Sequence, residues 1–295
     1  MKQFLTIILS VALSLAAVYF LERPAAVTPA AAPTKESAYD RVMRTKTLRC
    51  GYALWPPYML TKDVNTGKVG GIFAEIAEKV ADGLHLKLEW AEEVGWSSYI
   101  ESLRTGRFDV MCAPLWVSAE KAEFLNYTLP LTYSALHFYV RAGDTRFDDN
   151  LQKLNAPEYK LATMDGEVSQ MTAKRFFPKA AELSIPELAD ITQLFMNVAT
   201  GKADGVFNEP GLAKDYASKN PGTLRQVTKE PFQVFPNSMG MAIGENNLTR
   251  TIDSALTELM NSGEIDRIIA KYDPDRSIFM PVAKPYTYVP PPALP

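Results

Sequence analysis

An α/β fold is what this sequence predicts. Two observations carry the prediction. Short apolar runs of strand length alternate with amphipathic stretches of helical period, and the same alternation starts again in the second half of the chain. The 295 residues are 47% hydrophobic and 22% charged, enough apolar material for one large core or two medium ones.

The elements follow in order. Residues 48–53 read as a strand, with the rigid loop Trp55-Pro56-Pro57-Tyr58 after it. Gly70-Gly71 precedes a helix whose Ile72, Ile76 and Val80 fall at i, i+4 and i+8, and Gly83 caps its end. Residues 86–90 alternate like a strand. Ser98 and Glu101 have capping-box spacing, Ile100 and Leu103 give that helix its buried side, and Gly106 stops it. Asp109 is expected to organise the turn before residues 110–115, a continuous apolar run of the kind found in a strand covered on both faces. Ser118 is read as the cap of a short helix carrying Glu120 and Lys121. Such alternation argues for a parallel sheet.

In the second region residues 159–163 read as a strand, and Asp165-Gly166-Glu167-Val168-Ser169 turns into a helix. Leu188, Ile191, Leu194, Phe195 and Val198 form one apolar helical face closed by Gly201. Residues 205–207 make a brief strand ending at Asn208-Glu209-Pro210. Beyond residues 239–243, Asn247 starts a helix with Ile252, Leu256 and Leu259 inside, Gly263 ends it, and residues 265–272 form a last helix. The Pro-rich tail from Asp273 is expected to lie extended on the surface.

The N-terminus is different. Lys2 precedes an apolar segment, residues 4–21, just long enough to span a bilayer. Two readings stand: an uncleaved membrane anchor, which is preferred, and a signal peptide cleaved near Ala30-Ala31-Ala32. Both put the rest of the chain outside the cytoplasm. Residues 24–33, Ala/Pro-rich, are a semi-rigid spacer. The net charge of -3 leaves no basic footprint, so nucleic acid is excluded as a partner class. Cys50 and Cys112 sit in strand-like runs. An exported chain permits a disulfide, but two buried free thiols are the preferred reading. His85 and His137 are also placed in strands as structural residues. No Cys/His metal spacing occurs, and no cofactor is expected.

A longer series of motifs carries a resemblance. It runs through Leu48-Arg49-Cys50-Gly51-Tyr52, Pro57-Tyr58 and Gly67-Lys68-Val69-Gly70-Gly71-Ile72. It continues with Ile100-Glu101-Ser102-Leu103-Arg104-Thr105-Gly106-Arg107-Phe108-Asp109-Val110 and Ser118-Ala119-Glu120-Lys121. Then come Phe124-Leu125-Asn126-Tyr127-Thr128-Leu129-Pro130 and Thr200-Gly201-Lys202-Ala203-Asp204-Gly205-Val206. It ends with Asn261-Ser262-Gly263-Glu264-Ile265-Asp266-Arg267-Ile268-Ile269-Ala270-Lys271-Tyr272. In this order the chain resembles the family 3 extracellular solute-binding proteins, the polar amino-acid receptors of ABC importers. The resemblance implies a two-lobed, type II periplasmic-binding-protein-like fold with the ligand in the cleft. Residues 40–135 and 241–275 would form lobe one and 136–240 lobe two, between an N-terminal signal or anchor (1–21) with its linker (22–39) and a C-terminal tail (276–295). The hinge crossings would fall near residues 134–138 and 237–240, so that the lobes close on the ligand.

The resemblance also implies a site. In relatives that bind α-amino acids an Arg grips the carboxylate; here Lys121 stands in its place, a point charge without the bidentate fork. Pro114 and Trp116 occupy positions where the family has Gly and Thr. Glu209, with Asn208 beside it, matches the lobe-two acid that receives an ammonium. Trp55 matches the aromatic residue packed on the ligand, with Tyr52 at the strand end nearby and Ser118 at the turn. Trp55 and Trp116 are expected to form a stacking pair or a cation–π box. Residues 166–169, including Val168 and Ser169, could offer backbone donors to an anion. The implied function is an extracytoplasmic receptor that hands a small amine- or carboxylate-bearing solute to an ABC permease. Amines and non-standard carboxylates are expected to outperform common α-amino acids. The alternative is an exported dehydratase using Glu209 and Lys121 as acid and base; a sensory adaptor is a third class.

Overall fold

The computed structural model describes residues 36–283. The apolar segment 4–21, the spacer 24–33 and residues 284–295 lie outside the described residues. The folded part starts slightly before the linker boundary expected at residue 39. Ser37 caps α1 (Ala38–Thr45), its hydroxyl accepting from the Asp40 N–H at 3.0 Å.

The strand–helix alternation holds through the first half. β1 (Thr47–Tyr52) leads to the hairpin β2 (Thr61–Lys62) and β3 (Val69–Gly70), then α2 (Ile72–Gly83), β4 (Lys87–Glu93), α3 (Tyr99–Thr105) and β5 (Val110–Trp116). The loop after β1 is closed by reciprocal bonds, Trp55 N–H to Leu60 O at 2.8 Å and Leu60 N–H to Trp55 O at 3.2 Å. Gly71 starts α2 at φ 102°, where a Cβ would lie 2.9 Å from the carbonyl oxygens of Tyr58 and Met59. Those carbonyls accept from Ile72 and Phe73, tying the loop to the first turn of the helix. Ile72, Ile76 and Val80 are buried as their period requires. Gly83 is the last helical residue rather than the cap, which is Leu84.

Three local expectations fail here. Ser98 makes no capping bond, because it already has helical dihedrals, and Glu101 pairs with Arg104 instead. His85 is not in a strand; it sits in the turn before β4 with φ 54°. The segment after β5 is a run of turns rather than a helix, with i to i+3 bonds such as Lys121 N–H to Ser118 O at 3.3 Å. It has no room to wind further, because β6 (Leu125–Tyr127) starts at once and pairs antiparallel with residues 240–242.

The second half holds β7 (Thr132–Arg141), β8 (Lys160–Met164), α4 (Val168–Phe176), β9 (Ala181–Ile185), α5 (Thr192–Ala199), β10 (Val206–Asn208), α6 (Pro210–Lys219) and β11 (Leu224–Gln226). β12 (Gln233–Ala242), α7 (Asn246–Asn261) and α8 (Glu264–Tyr272) return to the first half. Leu188, expected on the α5 face, precedes that helix and is exposed.

The main sheet runs β10-β7-β12-β5-β1-β4. It is mixed rather than purely parallel. β8 and β9 form a separate parallel pair; in the main sheet β1 pairs in parallel with β4 and β5, while β7 and β12 pair antiparallel. Those two ten-residue strands are the backbone continuity of the molecule. β12 pairs with β5 on one side and with β6 and β7 on the other, and β7 carries β10 and β11. The tail beyond α8 is also not loose. β13 (Phe279–Met280) pairs with β7 at Ser134 and Tyr133, Phe279 is buried, and Asp273 accepts the Ile278 and Phe279 N–H groups at 3.0 and 2.9 Å.

Cys50 and Cys112 form a disulfide, against the expectation of free thiols. β1 and β5 are sheet neighbours, and that adjacency brings two buried cysteines 62 residues apart to a Cα–Cα distance of 5.5 Å. Asp109, at the foot of β5, does organise its turn. It accepts from the Arg49 N–H at 2.9 Å and pairs with the guanidinium groups of Arg41 and Arg49. The strand reading of His137 holds; it lies in β7 opposite Asn208 of β10.

Candidate functional site

One cavity gathers most of the expected site. Trp55, Pro114, Trp116, Ser118, Lys121 and Val168 line it. Tyr52, Ser169, Asn208 and Glu209 do not. Tyr52 is buried with its ring edge-on to Trp90 at 5.6 Å, because β1 turns that face toward β4. Ser169 is consumed locally: its hydroxyl accepts from the Met164 N–H and its own N–H goes to Glu167. Asn208 is fully buried on β10, its Oδ1 accepting the Glu209 N–H at 2.8 Å.

Glu209 sits behind the wall rather than in it. Its Oε2 accepts the indole N–H of Trp55 at 2.7 Å, a bond between residues 154 apart in sequence, buried at both ends. Trp55 hangs on the loop after β1; Glu209 caps α6 at the end of β10. Burial pushes the Glu209 carboxyl up to about 7, against the opposing pull of the Trp55 donor and of nearby Ser134 and Trp116.

The walls are aromatic. Trp55, Trp96, Tyr99, Trp116, Phe176 and Phe235 all face the cavity. Trp55 and Trp116 do not pair with each other as expected. Trp116 stacks on Phe235 of β12 at 4.1 Å and 24°, and Trp55 meets Trp96 edge-on at 5.4 Å. Lys121 extends over the Tyr99 ring, with 5.1 Å from Nζ to the centroid. Burial lowers its pKa, while the charges of Glu167 and then Glu120 pull the other way.

The buried carboxylate on the cavity lining is Glu167, which its sequence context marks only as part of a turn into a helix. It is only 3% exposed and caps α4 with its own side chain. Oε2 accepts the Ser169 N–H at 2.7 Å and the Ser169 hydroxyl, while Oε1 has no hydrogen-bond partner among the described residues. Burial raises its carboxyl to about 7, the Ser169 donors opposing and the Glu209 charge adding to the rise. An acidic residue immediately before a helix was the available signal. Trp96 and Phe235 had none beyond being aromatic.

The two sides of the cavity also touch directly. Glu187, after β9, accepts the Ser97 N–H at 2.7 Å and the Ser97 hydroxyl. Gly166, at φ 73°, lies so close that a Cβ there would fall 2.6 Å from the Ser97 nitrogen.

With this geometry in view, residues 48–274 match the model of the bacterial extracellular solute-binding proteins, family 3. The chain belongs to that family. It is therefore a solute-binding receptor, and the family's extracellular character puts its binding domain outside the cytoplasm. A probable amino-acid ABC transporter-binding protein of Haemophilus influenzae is 25% identical over 233 residues, 78% of this chain and 85% of that protein. The L-cystine-binding protein TcyJ of Escherichia coli is 22% identical, over 80% of this chain and 86% of TcyJ. Among solved structures, an ancestral amino-acid-binding protein described as a precursor of cyclohexadienyl dehydratase superposes with TM-score 0.69 at 24% identity, covering 80% of this chain and 99% of that one. The arginine-binding protein of T. maritima (P235GK mutant) does so with the same TM-score at 20% identity, again covering 80% and 99%. The family 3 chain thus has the two-lobed type II fold. The sequence relatives are called binding proteins rather than enzymes. No helix among the described residues is long and apolar enough to cross a membrane.

Proposed function

We propose that this chain is the extracytoplasmic receptor of an ABC-type importer, closing two lobes over a small solute that carries an amine or carboxylate. Lobe one comprises residues 40–135 and 241–275 and lobe two residues 136–240, with β7 and β12 as the crossings. The Trp55–Glu209 bond carries the reading: a buried indole of one lobe is held by a buried carboxylate of the other. Ser97–Glu187 at the rim supports it. Trp55, Trp116, Ser118 and Lys121 act from lobe one and Val168 from lobe two. The hydrophobic segment 4–21 directs export or tethers the receptor to the inner membrane, and cell fractionation separates the two. The relatives' names point to amino acids and a permease as the partner classes.

Binding by closure costs the opening of a solvated cleft and is repaid only by a ligand that touches both sides. Small-angle scattering across a panel of amino acids, amines and organic acids tests this. At least one member should compact the chain and raise its melting temperature; the absence of both responses across the panel refutes the receptor reading. A dehydratase needs an acid and a base on opposite faces of a substrate. Glu209 is behind Trp55 rather than lining the cavity, which disfavours the Glu209/Lys121 assignment.

A further inference from the structure

Fully ionised, the enclosed groups at the cavity do not balance. Glu167 and Glu209 are buried and Lys121 is half-buried, two carboxylates against one ammonium. Glu120 and Arg175, also on the lining, are exposed and of opposite sign. A buried charge persists only if something offsets it. An arriving carboxylate would raise the imbalance, whereas a single ammonium would cancel it.

The helix terminus gives a second, independent reason. The start of α4 is the helix N-terminus on the cavity lining, where free N–H groups could receive an anion. Most donors of that turn are already taken. Glu167 accepts the Ser169 N–H on its side chain and the Gln170 N–H on its carbonyl at 3.1 Å, and just before the helix Gln170 accepts the Gly166 N–H at 3.1 Å. A carboxylate of the protein itself therefore occupies the anion position. Its remaining oxygen, Oε1, is buried and unpartnered among the described residues, on a side chain that lines the cavity. The cavity it lines is otherwise largely aromatic, which favours a cation and an apolar body over an anion.

Resting on the receptor reading above, we propose that the cavity takes a monoamine with an apolar or aromatic body and no carboxylate, its ammonium donating to Glu167 Oε1. Glu167 is the specificity-determining residue, and Glu209 supplies the second negative charge through its position behind Trp55. Lys121 offsets one carboxylate and leaves the other for the ligand. It is not a carboxylate clamp.

Calorimetry on the intact chain tests this with two matched series: phenethylamine, phenylalanine and phenylpropionate, and isoamylamine, leucine and isocaproate. Each series keeps one body and changes only the charged groups. The amine of at least one series should bind at least about tenfold tighter than its amino acid, the size of one hydrogen bond to a charged group, and its acid should not bind. Glu167→Gln, which keeps an acceptor for Ser169, should weaken that amine by about tenfold or more without lowering the melting temperature. Lys121→Gln should hold or tighten amine binding, since it removes a like charge. Tighter binding of an amino acid or acid, amine binding indifferent to Glu167→Gln, or lost amine binding in Lys121→Gln overturns the proposal. Scattering separates this failure from that of the receptor reading. If amino acids compact the chain and amines do not, only the ligand class is wrong; if nothing compacts it, both fall.

Discussion

On the receptor reading, closure turns on Trp55 and Gly166 at the residue scale. The indole N–H of Trp55 is the donor that Glu209 accepts across the cavity wall. Trp55→Phe keeps the ring and removes the donor, leaving a buried carboxylate short of a partner. The expected cost is roughly 1–3 kcal/mol of closed-state stability, seen in calorimetry as weaker ligand binding. A variant that binds as tightly as the parent would show that this bond does not hold the lobes. Gly166 acts by having no side chain. Its φ of 73° and its approach to Ser97 leave no room for a Cβ. Gly166→Ala should fold, at a backbone cost of about 1–2 kcal/mol, and then fail to close. Scattering should find it extended with saturating ligand, and a compact, tight-binding variant would refute that role.

At the scale of elements, β1 and β5 are joined by the disulfide and β7 is edged by the C-terminal strand. The Cys50–Cys112 bond closes 62 residues. On the chain-entropy account it should contribute on the order of 4 kcal/mol. Replacing both cysteines by Ala should cost roughly 2–5 kcal/mol in urea denaturation with the fold retained. No loss of stability would mean that the reduced chain is already confined by its core. β13 lies beyond the region matched to the family, on the half of β7 that also pairs with β12. Deleting the chain from Ser277 onward uncovers a strand edge and the site of the buried Phe279. A lower melting temperature is expected, and an unchanged one would reduce the strand to decoration. A C-terminal segment rich in Pro gives no hint of such pairing, because its partner is some 145 positions earlier.

For the whole molecule, two buried carboxylates make stability depend on pH in an unusual direction. Both Glu167 and Glu209 rise from an ordinary 4.5 to about 7 when the chain folds. Below 4.5 they are protonated in folded and unfolded chain alike, and their contribution is fully present. Above it the unfolded chain gives up protons that the folded chain keeps, so stability falls as pH climbs through about 7. Ligand-free stability should therefore be higher near about pH 5 than near about pH 8, by up to on the order of 3 kcal/mol per group, and be read as a higher melting temperature. Amine binding should run the other way and weaken on acidification, since the proton and the ligand compete for the same charge. The double variant Glu167→Gln/Glu209→Gln should flatten both profiles. A parent profile already flat across that range would show that the pair ionises freely in the folded chain.

What the sequence determined by itself is the class of fold, most element positions and the family. Each follows from local pattern: the period of Ile72, Ile76 and Val80, the apolar run of β5, the stop at Gly106, and an ordered series of short motifs. Trp55, Trp116 and Lys121 were legible as cavity residues because they match family positions. Only the tertiary structure decided which strands are neighbours, and with that the disulfide, the course of β13 and the stacking of Trp116 on Phe235 rather than Trp55. It also put Glu209 behind a tryptophan and Glu167 on the cavity lining. Periodicity reports which side of an element is buried; it carries no information on what lies opposite across tens of residues of intervening chain. Charge balance in an enclosed site depends on that opposition, so the sequence named the charged residues and the fold alone set their sum.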